Sequence, residues 1–447
     1  MQKILLFIAS LFYFNFLFSK NEIKSWQGIH ETPLSRLEQQ FAEPPVEFAN
    51  HVIWGWEGKM DKKTICNDLD SIKKKGFRAV IFEAGYKLPF KYLSEEWFKA
   101  IRTGVVEAKK RDMKVWIIDE GKYPSGFAGG KFSQERPDLR MQALVIGDTI
   151  QIKRGEVMTN HKIAPEIISA VAVSTSGAPN RTVEINNGKI SFNAGLDDWK
   201  ILLVKSDFRT AVTRAVNNPN GGKDATNSLC DYLNPVAVQQ FIDWTHKQYK
   251  KYLGKELGTT VLGFRGDEPD YAHLPWTPSI VQTFKDTKGY DPTPYLASFF
   301  TASPTIQEQR VKADYWDVWS SLFATHFFKL QADWCAANGV AHITHLNKEH
   351  EMPACVKAEG DYFRALSKVQ IPGVDAIWNQ IWPSTLNDFP KLASSVAHVY
   401  GKPRAFSESF AAYHISPTIP QAKFVVDHQI ARGINFFEFM FWLAGDR

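Results

Sequence analysis

The stretch from His51 to Glu120 decides the fold. It holds three apolar runs, His51-Val-Ile-Trp-Gly-Trp-Glu57, Arg78-Ala-Val-Ile-Phe-Glu83 and Lys114-Val-Trp-Ile-Ile-Asp-Glu120, and each ends on an acid. Between the first two, Asp61 can cap a helix with Ile65, Leu69 and Ile72 on one face and Gly76 as its stop. Between the second and third, Ser94, with Glu96 nearby, opens a helix through Trp97, Ile101, Val105 and Ala108. Continuous apolar strands alternating with amphipathic helices are parallel strands buried on both faces.

Downstream the rhythm breaks and then returns. Residues 139–225 show almost no helical period; they carry short strand-like runs at 144–152, 167–173, 182–185, 189–192 and 201–205, with the hairpin signal Asn187-Gly188 between two of them. A β-rich insertion on one loop is expected there. Asn234-Pro235 then caps a helix whose buried stripe is Val238, Phe241, Ile242, Tyr249 and Tyr252, up to Gly254. Further strands are expected at 260–264, 341–346, 374–379, 404–409 and 434–441, with helices near 307–338, 386–400 and 419–432. Eight strand signals separated by helices predict an α/β chain, a (β/α)8 TIM-type barrel with a β-rich insertion after strand three. The competing open doubly wound sheet lacks a Gly-rich phosphate turn after its first strand. The expected boundaries are 20–138 for the first part of the barrel, 139–225 for the insertion and 226–447 for the remainder. Arg447 leaves no room for an eighth helix, so a truncated barrel is expected.

Upstream, Lys3 precedes an apolar run over 4–18, broken by Asn15 and closed by Ser19-Lys20. A signal peptide over 1–19 is expected, with a signal anchor as the alternative because Leu17 breaks the small-residue rule. No second run of membrane length follows. A secreted or periplasmic protein without a stable membrane span is the reading, with 20–45 a polar lead-in.

Composition narrows the chemistry. Of 447 residues, 53 are basic and 48 acidic, a net charge of +5 too small and scattered for a nucleic-acid partner. The apolar share of 44% excludes extensive disorder. The aromatic share of 13%, with 14 Trp, suggests surfaces that stack on sugars as well as a core. The four cysteines, Cys66, Cys230, Cys335 and Cys355, form no CxxC pair, which excludes a zinc ribbon or a thioredoxin motif. The absence of HExxH, GxSxG and Walker motifs argues against zinc-protease, serine-hydrolase and NTPase chemistry. No organic cofactor is expected.

Barrel chemistry sits at the C-terminal ends of the strands, and acids gather there: Glu57, Glu83, Asp119, Glu120, Asp267, Glu268, Glu408 and Glu438. Carboxyls converging on one cavity raise one another's pKa, and a raised carboxyl beside an ionised one is what glycoside hydrolysis requires. Phe264-Arg-Gly-Asp-Glu-Pro269 and Phe406-Ser-Glu-Ser-Phe410 place Glu268 and Glu408 past strands four and seven. Glu268 is the expected general acid and Glu408 the base or nucleophile; in the alternative, Glu268 holds Arg265 or an ion and Asp267 is the working acid. Glu83, Asp119, Glu120, Asp267, Trp56 and Tyr123 are further candidates for substrate contact. Trp54 and Trp442 read as core, whereas Trp276, Trp378 and Trp382 in loop-like stretches are the expected sugar platforms. His342 and His345 lie three apart on a strand, so they face opposite ways and share no metal; His345 is expected to bind a sugar hydroxyl.

Several segments together resemble glycoside hydrolase family 106, the α-L-rhamnosidases, and related bacterial enzymes. They are Trp54-Gly-Trp56, Lys75-Gly-Phe77, Ile118-Asp-Glu-Gly-Lys-Tyr-Pro-Ser-Gly126, Ala128-Gly-Gly130, Gly266-Asp-Glu-Pro269, Pro275-Trp-Thr-Pro278, Gly289-Tyr-Asp291 and Glu408. The resemblance implies a barrel interrupted by a β-rich segment, Glu268 and Glu408 as acid and base, inversion at the anomeric carbon, exo action and Ca2+ in the pocket. Members typically carry β-sandwich domains after the barrel, and this chain ends first. The combined expectation is a secreted glycoside hydrolase acting on an oligo- or polysaccharide of plant type, rhamnosidase-like. A related deoxy-sugar or uronic-acid-linked glycan is the substrate alternative. A non-catalytic carbohydrate-binding protein on a degenerate barrel is the functional one, and an adhesion module is a distant third.

Overall fold

The computed structural model of the chain describes residues 33–121, 123–210, 213–214, 223–224, 228–271, 274–385, 387–413 and 417–443. The apolar run over 4–18, and with it the expected signal peptide, lies outside them.

Eight parallel strands close a barrel. They are β1 (His51–Trp56), β2 (Ala79–Ala84), β3 (Lys114–Ile118), β4 (Val261–Gly266), β5 (Ala341–Thr344), β6 (Ile371–Ala376), β7 (Phe406–Ser409) and β8 (Phe436–Leu443). Each pairs with its sequence neighbours and β8 returns to β1. The helices form for the reasons the sequence offers. Asp61 accepts the Thr64 amide at 2.9 Å to start Lys62–Lys74, and Ser94 accepts that of Trp97 at 3.3 Å to start Glu95–Lys110. Asn234 accepts the Val236 amide at 2.9 Å ahead of Pro235–Trp244.

After β3 comes the β-rich region. Gln142–Ile152, Trp199–Phe208, Ile167–Ser174 and Arg181–Thr182 form an antiparallel sheet, and Val157–Lys162 pairs with Lys189–Asn193 beside it. Asn187 and Gly188 both adopt positive φ in the tight turn between Asn186 and Lys189, as a two-residue primed turn requires.

Three departures from the sequence reading matter. The strand expected at 374–379 runs instead over Ile371–Ala376, leaving Trp378 and Asn379 beyond it in left-handed conformations. The helix expected from Asn234 to Gly254 is two, broken at Thr245, whose hydroxyl donates to the Phe241 carbonyl at 2.7 Å. A nine-residue helix, Leu34–Ala42, stands where only a polar lead-in is expected.

The barrel interior is layered. Side chains alternate along a strand, so His51, Trp116, Phe406 and Phe436 point inward together and their rings meet, His51 lying 4.2 Å from Phe436 between centroids. Gly373 is required beside them, because a Cβ there would sit 2.1 Å from the Phe406 ring. This aromatic floor closes the lower barrel, and the next inward layer towards the C-terminal ends carries the charges.

Candidate active site

Two residues beyond the floor, the inward positions are Arg265 on β4, Asp375 on β6, Glu408 on β7 and Glu438 on β8. The register sets Asp375, Glu408 and Glu438 side by side. Arg265 is fully buried and is the hub of the layer. Its Nη1 lies 2.7 Å from Asp267 Oδ1 and its Nε 3.2 Å from Glu438 Oε2, while Nη2 pairs with Glu408 Oε2. His345, just past β5, completes the group: its Nδ1 donates to the Leu346 carbonyl at 2.8 Å. Its Nε2 lies 3.2 Å from Glu408 Oε2, 3.3 Å from Asp267 Oδ1 and 2.9 Å from Arg265 Nη2.

One guanidinium facing so many carboxyls divides them into two classes. Burial works to raise Asp267, but the charge of Arg265 and the hydrogen bond with His345 outweigh it and hold this carboxyl well below its ordinary range. Burial likewise works to lower His345, and its hydrogen bonds to Asp267 and Glu408 more than reverse that. The other acids go up. Burial, helped by the negative charge of Asp267, pushes Glu268 to about 7. Burial pushes Glu438 to about 7, and burial with the charge of Glu408 pushes Asp375 well above the carboxylate range. Glu268 itself sits at φ +38, an unfavourable backbone for a residue with a side chain.

Above this layer opens a cavity of about 340 Å³ lined by Glu83, Tyr86, Tyr123, Asp267, Glu268, Asp375, Trp378 and Glu408, with Ile53, Ile118, Ile377 and Met440 as its apolar wall. The structure thus brings together Glu83, Tyr123, Asp267, Glu268, Trp378 and Glu408, with His345 hydrogen-bonded behind them. Trp378 is 56% exposed at the rim, where a ring can meet a sugar face.

Four candidates fall elsewhere. Trp56 is fully buried against Trp54, Phe82 and Trp97, because it shares the outward parity of Trp54 on β1. Trp276 is buried in a two-residue strand that pairs with Gln142 at the edge of the β-rich sheet. Glu120 points into its own loop, where it accepts the amides of Gly121 at 2.7 Å, Gly129 at 2.9 Å and Ala128. Asp119, next to the cavity-lining Ile118, is not part of the lining; it accepts from Ser125 Oγ at 2.6 Å and is fully buried. Asp375, Tyr86 and the hub role of Arg265 were missed by strand-end reading. Asp375 had a usable signal, since it shares the inward parity of the neighbouring strand acids.

A second acidic group lies beside the cavity. Glu359 Oε1 accepts the Asn347 amide at 3.3 Å, and Asn347 Nδ2 approaches Asp270 Oδ2 at 3.4 Å. Burial and the charges of Asp270 and Glu349 raise Glu359 well above its ordinary value, and its Oε2 is buried without a partner among the described residues. The same segments border an open cleft of about 950 Å³ walled by Phe299, Phe300 and Trp316, with Lys312, Lys348 and Lys357 on its lining.

A family model described as alpha-L-rhamnosidase, Glyco_hydro_106, matches residues 159–441, more than half of the chain. The chain belongs to glycoside hydrolase family 106. The family 106 match takes in β4 to β8, and with them Arg265, Glu268, His345, Asp375 and Glu408; β1 to β3 precede it. The barrel of this family member is closed. A structure of a rhamnosidase from Novosphingobium sp. PP1Y superposes with a TM-score of 0.69 at 16% identity, over 93% of this chain and 56% of that one, which is a likeness of fold. A "Putative beta-glucuronidase" of Formosa agariphila is 23% identical over 91% of this chain. The chain spans 38% of that relative's length and 56% of the rhamnosidase's.

Proposed function

We propose that this family 106 chain is an exo-acting α-L-rhamnosidase-like hydrolase, secreted or periplasmic, in which Glu268 is the general acid and Glu408 the general base. The observation that carries the assignment is the contrast between the two glutamates on one cavity. Glu268, with burial and Asp267 pushing it to about 7, holds a proton near neutral pH; Glu408 is tied to Arg265 and His345. Glu268 gives its proton to the glycosidic oxygen as the anomeric C–O bond breaks, and Glu408 takes a proton from the water attacking the opposite face, so the configuration inverts. Asp375 and Glu438, kept protonated by burial, leave the layer without surplus negative charge.

An uncharged sugar suits the cavity better than a uronate. Its lining cation among the described residues, Arg265, already faces three carboxyls, so it is engaged before a substrate carboxylate arrives. This favours a rhamnoside over a glucuronide. The neighbouring cleft, with its rings and lysines, suits the remainder of a glycan chain, including an anionic one.

Calcium fits beside the cavity. Hard oxygen donors are what Ca2+ takes, and the carboxyls of Asp270 and Glu359, each approached by an N–H of Asn347, would supply them, Glu359 Oε2 being buried without a partner among the described residues. An ion bound there would neutralise the acids behind Glu268. Among the described residues no helix is long and apolar enough to cross a membrane.

Aryl α-L-rhamnoside and aryl β-D-glucuronide, offered separately to the wild-type chain with and without a calcium chelator, test the reading. Turnover of the rhamnoside with release of the inverted anomer, seen by proton NMR, is expected. Turnover of the glucuronide alone would overturn the sugar assignment, and release of the retained anomer would make Glu408 the nucleophile.

A further inference from the structure

The break at Thr245 has a consequence on the outer side of the barrel wall. It starts a second helix, His246–Leu253, with His246 pointing at the barrel, while His342 points outward from β5 and Cys335 comes from the helix Lys329–Ala337. One ligand atom from each of the three lies within 4.8 Å of the others. All are buried, at 0%, 1% and 0% exposure for His246, His342 and Cys335. The site is separate from the catalytic layer, since His345 enters that layer from the opposite face of the same segment.

The hydrogen bonds prepare this group for a ligand. Thr245 Oγ1 spends its only proton on the Phe241 carbonyl at 2.7 Å, so the 2.9 Å contact with His246 Nδ1 requires the imidazole to donate. That fixes the tautomer and leaves a bare lone pair on His246 Nε2, which has no partner among the described residues. Both ring nitrogens of His342 are equally without a partner there, although the ring is buried. Leaving such buried groups unsatisfied is costly. Burial keeps both rings neutral, His342 down at about 3 and His246 well below its ordinary value, helped by the neighbouring imidazole. Neutral imidazoles with free lone pairs facing a thiol are donors, and their shell is apolar: the ring of Phe264 lies 4.1 Å and that of Trp334 5.3 Å from His246.

We propose that His246, Cys335 and His342 form a binding site for one thiophilic metal ion, monovalent copper in preference to zinc. Thiolate and imidazole donors select soft ions. The choice between them follows from charge: one thiolate neutralises Cu(I) completely, whereas a zinc ion would leave a net positive charge in an apolar shell, which is costly. On binding, the Cys335 S–H bond breaks, its proton leaves to solvent and a sulfur–copper bond forms, with copper's oxidation state unchanged.

The test uses the full chain with the half-buried Cys66 replaced by Ser, so that a partly exposed thiol outside the site does not contribute. The protein is refolded under reducing conditions with Cu(I) or with zinc, desalted and assayed for metal, and a second sample is expressed in copper-supplemented medium. One equivalent of copper is expected, with X-ray absorption reporting one sulfur and two nitrogen donors, and a melting temperature above that of the metal-free chain. Adding Cys335→Ser should abolish retention and the thermal shift together, while the metal-free variant melts near its parent. Should that variant fail to fold, the donor set seen by X-ray absorption decides by itself. No retained copper in either preparation, retention unchanged by Cys335→Ser, a donor set without sulfur, or zinc held in preference to copper would each overturn the proposal.

Discussion

Asp119-Glu120 and Asp267-Glu268 look alike in the sequence: an acidic pair just past a barrel strand, on the adjacent strands β3 and β4. The fold places them differently. After β3 the chain turns through positive φ at Ala128, Gly129 and Gly130, which folds amides back onto Glu120. Three backbone donors and the Ser125 hydroxyl absorb that pair into the architecture of its own loop. After β4 the strain sits on the acid itself, at φ +38, and turns Glu268 towards the cavity, while Asp267 is held by Arg265 one turn of the strand behind it. What separates a loop-bound acid from a cavity-lining one here is whether local amides reach it.

The largest effect should come from pressing that contrast. Glu268→Gln and Glu408→Gln should each lower kcat/KM on an aryl α-L-rhamnoside by about 10²–10⁴-fold, the usual worth of a general acid or base, in protein with an unchanged circular dichroism spectrum. In wild type, activity should fall as pH rises through about 7, because the acid must carry its proton; that limb should disappear in Glu268→Gln. Full activity in either variant would sink the pair, and Asp267 would be the next acid to replace.

Glu120→Gln should do the reverse. Oε2, which can accept the Ala128 amide whether or not the carboxyl is protonated, becomes an NH2 that cannot, at about 1–3 kcal/mol for the group left unpaired. The melting temperature should fall by several degrees in a calorimeter, while kcat/KM per folded molecule drops far less than in Glu268→Gln. Equal losses of activity in the two variants would erase the distinction.

The two faces of a strand draw the same contrast among tryptophans. Trp56 and Trp378 are both aromatic residues near strand ends, yet the first is core and the second is the exposed rim. Trp378→Ala should raise KM about tenfold with kcat nearly unchanged, the worth of one stacking contact of about 1.4 kcal/mol. Trp56→Ala should chiefly destabilise the chain, by about 3–5 kcal/mol, as large core truncations do. A purely thermal effect of Trp378→Ala would remove it from the sugar-binding surface.

These cases show what was legible. Strand starts and the barrel itself could be read because uninterrupted apolar runs and capped helices repeat with one rhythm. The β-rich region could be read because that rhythm stops. That Glu268 and Glu408 line one cavity could be read from position alone. Which of the other acids and rings reach the cavity depends on parity along each strand and on loop amides brought back over ten residues. Parity was available and would have removed Trp56, which alternates in phase with core-facing Trp54, and added Asp375. The folding-back of residues 128–130 onto Glu120 was not, because nothing local in a Gly-rich turn says which carboxylate it will meet.

The smallest effect is in stability against pH, and its sign is set by the buried acids as a group. Burial raises Asp119 and Asp231 to about 7, and Glu120 and Glu349 to about 8. A carboxyl whose folded pKa lies above its unfolded one binds its proton more tightly in the native state, so its contribution is full at low pH and is lost as pH rises through the folded value. The buried histidines oppose this: burial takes His51 and His342 down to about 3, so they favour the native state increasingly as pH rises, but only up to about 6.5, where the unfolded imidazole is itself neutral. Between about pH 6.5 and 8 the carboxyls act without that opposition, and unfolding free energy from urea titrations should decline steadily across this window. Glu120→Gln should lessen the decline across the window up to about 8, because it removes one proton that only the native state holds there. Glu268→Gln should lessen it only up to about 7. A free energy that rises between pH 6.5 and 8 would mean that these acids are ionised in the folded chain, and that the loop amides over Glu120 compensate its burial fully.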